Sequence, residues 1–430
     1  MKKVNLVLAA AIAAAGMTGL ATGALYPVPA VAADKAPPGP KVSASVVKPL
    51  KAAQEALAAK DYDGALADLK EASAVEGTSA YDQFMIDEMS WVAYLQKKDY
   101  PAAATALEQS LNSGFVPAAD VPSRLKALTQ LNYEAKNYTK ATEFGVKYLE
   151  AVPGDTRTAL MVDHAYYMNK DYAAASALAQ KEIAKGGKPD EQMLQIWLQS
   201  DIALKNNEGA MQALEARVRW YPQQKYWADL LDNTLPQVRG DRELRDFYRL
   251  MQQTNTLSTA EDYSEAAAMM VSGGYPAEAV KVLEAGLAAN VFTGDALARA
   301  KGDLDRARTT AAADAKDLPG AAKALASAKT GNEMVATGKL YFSAGDYASA
   351  ADAIQKGLAK GGVADADDAN ALLGIALVRG GKSAEAKAAF QAVQAPSLVK
   401  VTRLWVLYID ATTAAVAAAT PAPATTPGGG

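Results

Sequence analysis

The side chains that could perform chemistry are few in this sequence. Its 430 residues include one histidine, His164, and no cysteine, against 48 aspartates and glutamates. A Ser-His-Asp or Cys-His arrangement therefore has a single candidate base and no thiol nucleophile. Zinc sites made of histidine and cysteine are excluded for the same reason. We therefore predict no catalytic residue and no metal site.

The densest group of carboxylates is ADADDAN at 364–370, which contains Asp365, Asp367 and Asp368. It lacks the loop glycine and the distal glutamate of an EF-hand. Because it falls where one helical segment ends and the next begins, we interpret it as a helix N-cap in a solvated turn. The sequence leaves paired acids for glycoside cleavage open, although every acid lies in a context that the repeats explain.

Cofactor motifs are missing as well. Neither GxGxxG after a strand nor GxxxxGK[ST] occurs, so no nucleotide cofactor is expected. The 44 lysines and arginines nearly balance the 48 acids, which gives a net charge of -4. No strong field of one sign follows from this balance, and we do not expect nucleic acid as a partner. The chain is predicted not to be an enzyme.

Aromatic and basic residues concentrate at 215–251, EARVRWYPQQKYWADLLDNTLPQVRGDRELRDFYRLM. Trp, Tyr and Arg are favoured at the centres of protein interfaces, so this segment could be a docking surface. Acidic residues are almost as frequent in it as basic ones. Helical salt links with core aromatics therefore explain the segment better than a docking surface does.

A charged residue, an aromatic and an Ala-rich run recur along the chain, as in KDYDGALADL at 60–69 and KDYAAASAL at 170–178. The first four aromatic markers lie roughly 34 to 38 residues apart, the length of two helices of about 13 residues with two turns. Other residues replace the aromatic in the following repeats, and it returns at Tyr347. A small residue three positions later would let the two helices approach closely. These markers and small residues are Tyr62, Tyr100, Tyr138, Tyr172 and Tyr347, with Ala65, Ala103, Ala141, Ala175 and Ala350.

These repeats resemble the tetratricopeptide repeat over about 48–292 and 331–396. NEMVATGKLYFSAGDYASAADAIQKGL at 332–358 has the glycine and tyrosine of the first helix in Gly338 and Tyr341. NALLGIALVRGGKSAEAKAAF at 370–390 has Gly374 and Phe390, although Trp91 and Asp163 replace the glycine elsewhere. The resemblance implies an all-α, right-handed superhelical solenoid of antiparallel helix hairpins. Each hairpin would bury its apolar face against the next.

In this family the first helix of each hairpin lines the concave side, where extended peptides or helices bind. Transferred by position, the resemblance implies a groove of polar or amphipathic side chains spaced about one helical turn apart. The family's set of Lys and Asn for capturing a peptide carboxylate is not found, so capture of C-termini is not expected. The implied groove residues are Lys126, Gln130, Tyr133, Arg157, His164, Tyr167, Gln195 and Gln199.

The N-terminus has the form of a bacterial secretory signal peptide. Lys2 and Lys3 precede an apolar run at 4–24, and the small residues at 31–33 predict cleavage after Ala33. We expect a periplasmic or secreted chain with no stable membrane span once the signal is removed. The expected organisation is a signal peptide 1–33, a Pro-rich linker 34–46, a solenoid 47–292, an irregular Ala-rich helical insert 293–330, two further repeat units 331–396, a capping helix 397–416 and a disordered tail 417–430.

The resemblance and the signal peptide together predict a non-enzymatic scaffold or adaptor. It would hold proteins or peptide segments of the bacterial cell envelope in its groove. The alternative is that the same groove binds peptidoglycan or an exported polysaccharide, in an envelope polymer or secretion system. Aromatic side chains on the concave face would favour a glycan, and Tyr133 and Tyr167 are compatible with it.

Overall fold

The computed structural model describes residues 40–419, and the prediction of an all-α fold of antiparallel helix hairpins is confirmed there. The predicted signal peptide and most of the predicted tail fall outside the described residues. The first helices are α1 Val47–Ala58, α2 Tyr62–Ser73, α3 Ala80–Gln96, α4 Tyr100–Asn112, α5 Val121–Glu134, α6 Tyr138–Ala151, α7 Thr156–Met168, α8 Tyr172–Ala184, α9 Glu191–Ala203 and α10 Asn207–Trp220.

The later helices continue to the end of the described chain. They are α11 Gln224–Thr234, α12 Asp241–Gln253, α13 Ala260–Ser272, α14 Pro276–Ala288, α15 Gly294–Asp314, α16 Leu318–Ser327, α17 Gly331–Ala344, α18 Tyr347–Lys360, α19 Ala366–Arg379, α20 Ser383–Gln391 and α21 Pro396–Ala419. A short 3-10 helix, Leu235–Gln237, follows α11. Within residues 40–419 no helix combines the length and hydrophobicity needed to cross a bilayer.

The recurring Lys-Asp-Tyr motif is the turn inside each hairpin. Lys98 has a left-handed backbone with φ 62°, and the Asp99 N–H bonds the Tyr94 carbonyl, which closes the preceding helix. The Asp99 side chain then accepts the Ala102 N–H at 3.2 Å and begins α4. The motif therefore ends one helix and starts the next within three residues. Other left-handed residues at turns inside hairpins are Lys60, Lys136, Lys170, Lys205, Gly274, Gly345 and Gly381. Asn255 and Asn290 have the same conformation between successive hairpins.

Small residues bring the two helices of a hairpin together. Ala103, Ala141 and Ala175 are fully buried near the start of the second helix. In α19, a Cβ at Gly374 would lie 2.4 Å from the Phe390 ring of α20. This close approach allows helices of modest hydrophobicity to bury an apolar stripe against each other.

Two compact units divide the chain, Met1–Met89 and Ser90–Gly430. In the first, Leu50, Leu69 and Ile86 form a core that also contains Val46. The carboxylate of Asp82 accepts the Ser43 N–H at 2.8 Å and the Ser43 hydroxyl at 2.6 Å. The last residues of the predicted Pro-rich linker are therefore held to α3 through Asp82, and Val46 packs in the core of this unit.

In the second unit, the odd-numbered helix α7 contacts both α5 and α9 as well as the even-numbered helices beside it. The even-numbered helices α6 and α8 have less contact with each other. We call the side of this part of the array that α5, α7 and α9 form its inner side.

The array turns back on itself after α14. The helix α15 packs on α14 and α13 like the start of another hairpin, and α16, which begins next to Pro319, leads into α17. The following helices then contact the earlier ones in reverse order: α17 lies against α14, α19 against α12, and α21 against α12 and α10. The segment predicted as an irregular insert thus forms two helices at the point of reversal.

The helix α21 was expected to cover the open end of the stack. It does pack on α19 and α20, but it also lies on α10 and α12. Arg403 pairs with Glu215 at 2.6 Å, and Asp410 pairs with Arg219 at 3.2 Å. It is therefore an internal part of a second layer, and it extends through 417–419, which were predicted to be disordered.

Buried charges join the two layers. Arg249 is fully buried and donates to the carboxylates of Asp246 at 2.7 Å and Glu278 at 2.6 Å. Arg379 of α19 donates to the other oxygen of Glu278 at 2.7 Å. Burial alone would raise the pKa of Glu278, but the two arginines outweigh it and hold that pKa below its ordinary value. Glu278 is therefore a charged link between α12, α14 and α19.

Candidate binding face

The eight predicted groove residues lie on three consecutive inner helices. Lys126, Gln130 and Tyr133 are on α5, Arg157, His164 and Tyr167 on α7, and Gln195 and Gln199 on α9. All are half-buried except Arg157, which is exposed. We call these eight residues the inner face. Their i, i+3, i+4 and i+7 spacing keeps each set on one side of its helix.

The cation at one end of the inner face is already paired. Lys126 Nζ lies 2.6 Å from Asp155 Oδ2, and Asp155 is the N-cap of α7, where it accepts the Thr158 N–H at 3.0 Å. The Tyr148 hydroxyl donates to the same carboxylate at 2.9 Å. Burial would raise the pKa of Asp155, but the Lys126 ammonium and these donors hold it well below its ordinary value. Lys126 therefore ties α5 to the start of α7.

The aromatic end of the inner face has a second link. The Tyr133 hydroxyl lies 2.8 Å from His164 Nδ1, and the two rings are 5.8 Å apart. Burial lowers the pKa of His164, so its ring is neutral at neutral pH, and the imidazole tautomer sets which of the two groups donates the hydrogen bond. Burial likewise raises the pKa of Tyr133. In the described chain no carboxylate pairs with His164, so it lacks the orienting acid of a catalytic triad.

Other polar side chains of the inner face have hydrogen-bonding groups that the structure does not use. Arg157 has no carboxylate partner among residues 40–419. The side-chain oxygen of Gln130 is buried and accepts no hydrogen bond there. The Tyr167 ring lies 5.5 Å from that of Tyr172, which holds it in place. The arrangement offers hydrogen-bonding groups and ring edges on a fixed scaffold.

The main feature that sequence reasoning missed lies under this face. Asp163 of α7 is 0 % exposed, and neither of its carboxylate oxygens has a hydrogen-bond partner. Burial, with a smaller effect of Glu182, raises its pKa to about 8. The signal was present, because Asp163 occupies the repeat position where the family has a small residue. It sits in the core as a neutral acid.

The two other segments singled out in the sequence are structural. Tyr226, Trp227 and Phe247 of the aromatic and basic segment are buried, which agrees with the core interpretation. In the acidic stretch, Asp365 caps α19 as predicted by accepting the Asp368 N–H at 3.0 Å. The prediction of a solvated turn was wrong for Asp368, which is buried between Arg245 and Lys339. A fold-back contact with α12 and α17 removes it from water.

No candidate metal-binding site is found among the residues that the structure describes. Across residues 40–419 the structure contains no cluster of three or more His, Asp or Glu side chains that could hold a metal ion. The only imidazole of the sequence is that of His164, and its Nδ1 is hydrogen-bonded to Tyr133.

Comparisons with known proteins give a fold-level likeness. No protein-family model matches the sequence, and no curated protein matches it. A solved tetratricopeptide repeat protein from Parabacteroides merdae is 13% identical over 78% of this chain and 100% of its own, with a TM-score of 0.28. The C-terminal part of a TPR repeat-containing protein from Cytophaga hutchinsonii is 12% identical over 61% of this chain and 93% of its own, with a TM-score of 0.29.

A third similar structure is the TPR2AB domain of yeast Sti1 in complex with pHSP90. It is 12% identical over 61% of this chain and 98% of its own, with a TM-score of 0.27. At such identities and scores, the likeness carries no inference about what this chain binds.

Proposed function

We propose that the chain is a non-enzymatic scaffold that holds an extended or helical segment of another protein on its inner face. The observation that carries this proposal is a fixed row of polar and aromatic side chains, half open to water, across α5, α7 and α9. Three adjacent helices present them in register, so a partner segment of several turns would meet many modest contacts at once.

The links within the inner face support this reading. Lys126 is held by Asp155 and Tyr133 by His164, so these side chains lose little conformational freedom when a partner binds. Lower ordering cost leaves more of the contact energy as affinity. Arg157, unpaired and exposed, is the cation best placed to meet an acidic group of the partner.

We further propose that the scaffold works in the bacterial cell envelope, periplasmic or secreted. The support is the residue pattern at 1–33, with two lysines, an apolar run and small residues before Asp34. Fractionation of producing cells with N-terminal sequencing checks it. A mature N-terminus at Asp34 in an exported fraction is expected, and an uncleaved cytosolic chain would refute the proposal.

Site-specific photocrosslinking tests the binding face. A benzoylphenylalanine would replace Tyr167 or Gln199 on the inner face, and Lys181 on α8 as an exposed control outside it. We expect discrete protein adducts from the first two positions and none from Lys181. Mass spectrometry names the partner, and Arg157→Glu in the purified chain should then weaken its binding about tenfold.

Equal adducts at all three positions, or none at any, would count against the inner face. The alternative is that glycan occupies it, and Tyr167 favours this reading because its ring is half-exposed. Retention of the chain on peptidoglycan at high salt, lost on Tyr167→Ala but unchanged in Arg157→Glu, would replace the protein-binding proposal by the glycan one.

A further inference from the structure

A small cavity lies where the two layers of the second unit meet, away from the inner face. Its volume is about 290 Å³, which suits a ligand of a few heavy atoms. The ends of α12 and α19, the start of α18 and the middle of α14 form its wall. The lining residues are Gln252, Gln253, Glu278, Lys281, Tyr347 and Arg379.

Hydrogen-bond accounting shows which groups are left for a ligand. Arg379 donates to Gln252 Oε1 at 3.2 Å and to the Tyr347 hydroxyl oxygen at 3.4 Å. Arginine has no acceptor, so these two oxygens must face it. The amide N–H₂ of Gln252 and the O–H proton of Tyr347 are therefore free to point elsewhere. The wall of the cavity thus has two hydrogen-bond donors that could bind a ligand.

The cavity also has an excess of positive charge, which suits a ligand that accepts hydrogen bonds. No carboxylate pairs with the exposed ammonium of Lys281 within residues 40–419. The only acid on the wall, Glu278, is already bound through both oxygens by Arg249 and Arg379. Asp246 lies behind Glu278 and also binds Arg249. The cations Lys281, Arg379 and Arg249 therefore outnumber the two carboxylates by one. The unused capacity is one ammonium with two neutral donors.

We propose that this cavity is an oxyanion site that binds a carboxylate or phosphate group. Lys281 supplies the charge, while Tyr347 and Gln252 donate hydrogen bonds to separate oxygens of the ligand. Arg379 positions both donors through its own bonds. The anion would either be a free small molecule or an acidic side chain of a bound protein, since both offer the same oxygens.

Calorimetric titration of the full chain distinguishes these sources. The probes are inorganic phosphate, succinate and an acetylated, amidated triglutamate peptide, each at an ionic strength kept constant with sodium chloride. Saturable one-to-one binding of phosphate or succinate supports a free anion. Binding of the peptide alone supports an acidic segment. Absence of saturable binding by all three probes would overturn the site.

Two variants tie the binding to the cavity. Lys281→Gln and Tyr347→Phe should each weaken binding about tenfold or more, because each removes a donor to a charged ligand. The matched controls are Lys301→Gln, an exposed lysine of α15, and Tyr100→Phe, which occupies the same repeat position as Tyr347 at the start of α4. Unchanged affinity in both cavity variants would also overturn the site. The inner face lies on other helices, so its own tests are independent of this outcome.

Discussion

Trp405 of α21 donates its indole N–H to the main-chain oxygen of Asp246 in α12 at 3.1 Å, across 159 positions of sequence. The Trp405 side chain is 0 % exposed, and its ring stacks on Phe390 with centroids 6.2 Å apart. One side chain thus joins the last helix to a hairpin near the middle of the chain. The reversal of the array is built on such contacts.

Removal of this ring should be costly. We expect Trp405→Ala to lower the free energy of unfolding by about 3–5 kcal/mol, because it leaves a large cavity between two layers and an unpaired carbonyl. Urea unfolding followed by circular dichroism measures it. Val399→Ala on the exposed side of the same helix is the control, with a change within about 0.5 kcal/mol. A similar small effect for both variants would contradict the layer contact.

The buried arginine gives a second prediction. Arg249→Met should destabilise the chain by about 3–5 kcal/mol, because Glu278 and Asp246 lose their common partner inside the protein. The double variant Arg249→Met/Glu278→Met should recover part of this loss in the same urea assay. Arg306→Met, whose partner Asp303 is on the surface, should change stability by less than about 1 kcal/mol. If the double variant loses as much unfolding free energy as the two single variants lose together, or more, Arg249 and Glu278 do not compensate each other.

Asp163 predicts a pH dependence. Its folded-state pKa of about 8 lies above the ordinary 3.8, so the folded chain keeps a proton that the unfolded chain releases. Stability from this group is fully present below about pH 4 and is lost as the pH rises towards 8, by up to roughly 1.4 kcal/mol per pH unit. Asp163→Asn should remove that loss. The gain of the variant over the parent chain should therefore grow from pH 5 to pH 8 in urea unfolding, and a constant gain would refute the neutral buried acid.

The left-handed backbone at the lysines of the turns predicts that glycine stabilises the chain there and destabilises it inside a helix. Lys170 has φ 63°, a conformation that costs a residue with a Cβ about 1 kcal/mol relative to glycine. Lys170→Gly should therefore stabilise the chain by up to about 1 kcal/mol. Lys181→Gly, inside α8, should destabilise it by a similar amount, because glycine is a poor helix former. Thermal unfolding of the two variants compares them directly, and a loss in both would contradict a strained turn.

Local features were readable from the sequence because the chemistry that causes them is local. Lys98 and Asp99 form the end of one helix and the beginning of the next within three residues, so their types are enough to predict the hairpin turn. The small residue at Ala103 and the repeat length then predict the close pair of helices. The residues of the inner face came from the family resemblance, transferred by position onto α5, α7 and α9, and they stay a prediction.

Residue types and repeat length were thus enough to predict most of the helices, their turns and the pairing of successive hairpins. The reversal of the array after α14, which brings Arg379 to Glu278 and Trp405 to Asp246, became visible only in the folded chain. The folded chain also shows that Asp163 is buried without a partner, and that Tyr347 and Gln252 keep free donors. The physical reason is that periodicity specifies contacts between neighbours in sequence. Contacts across 100 residues or more depend on how small angles between successive hairpins add up, and hydrogen bonds can be accounted for only once those partners are known.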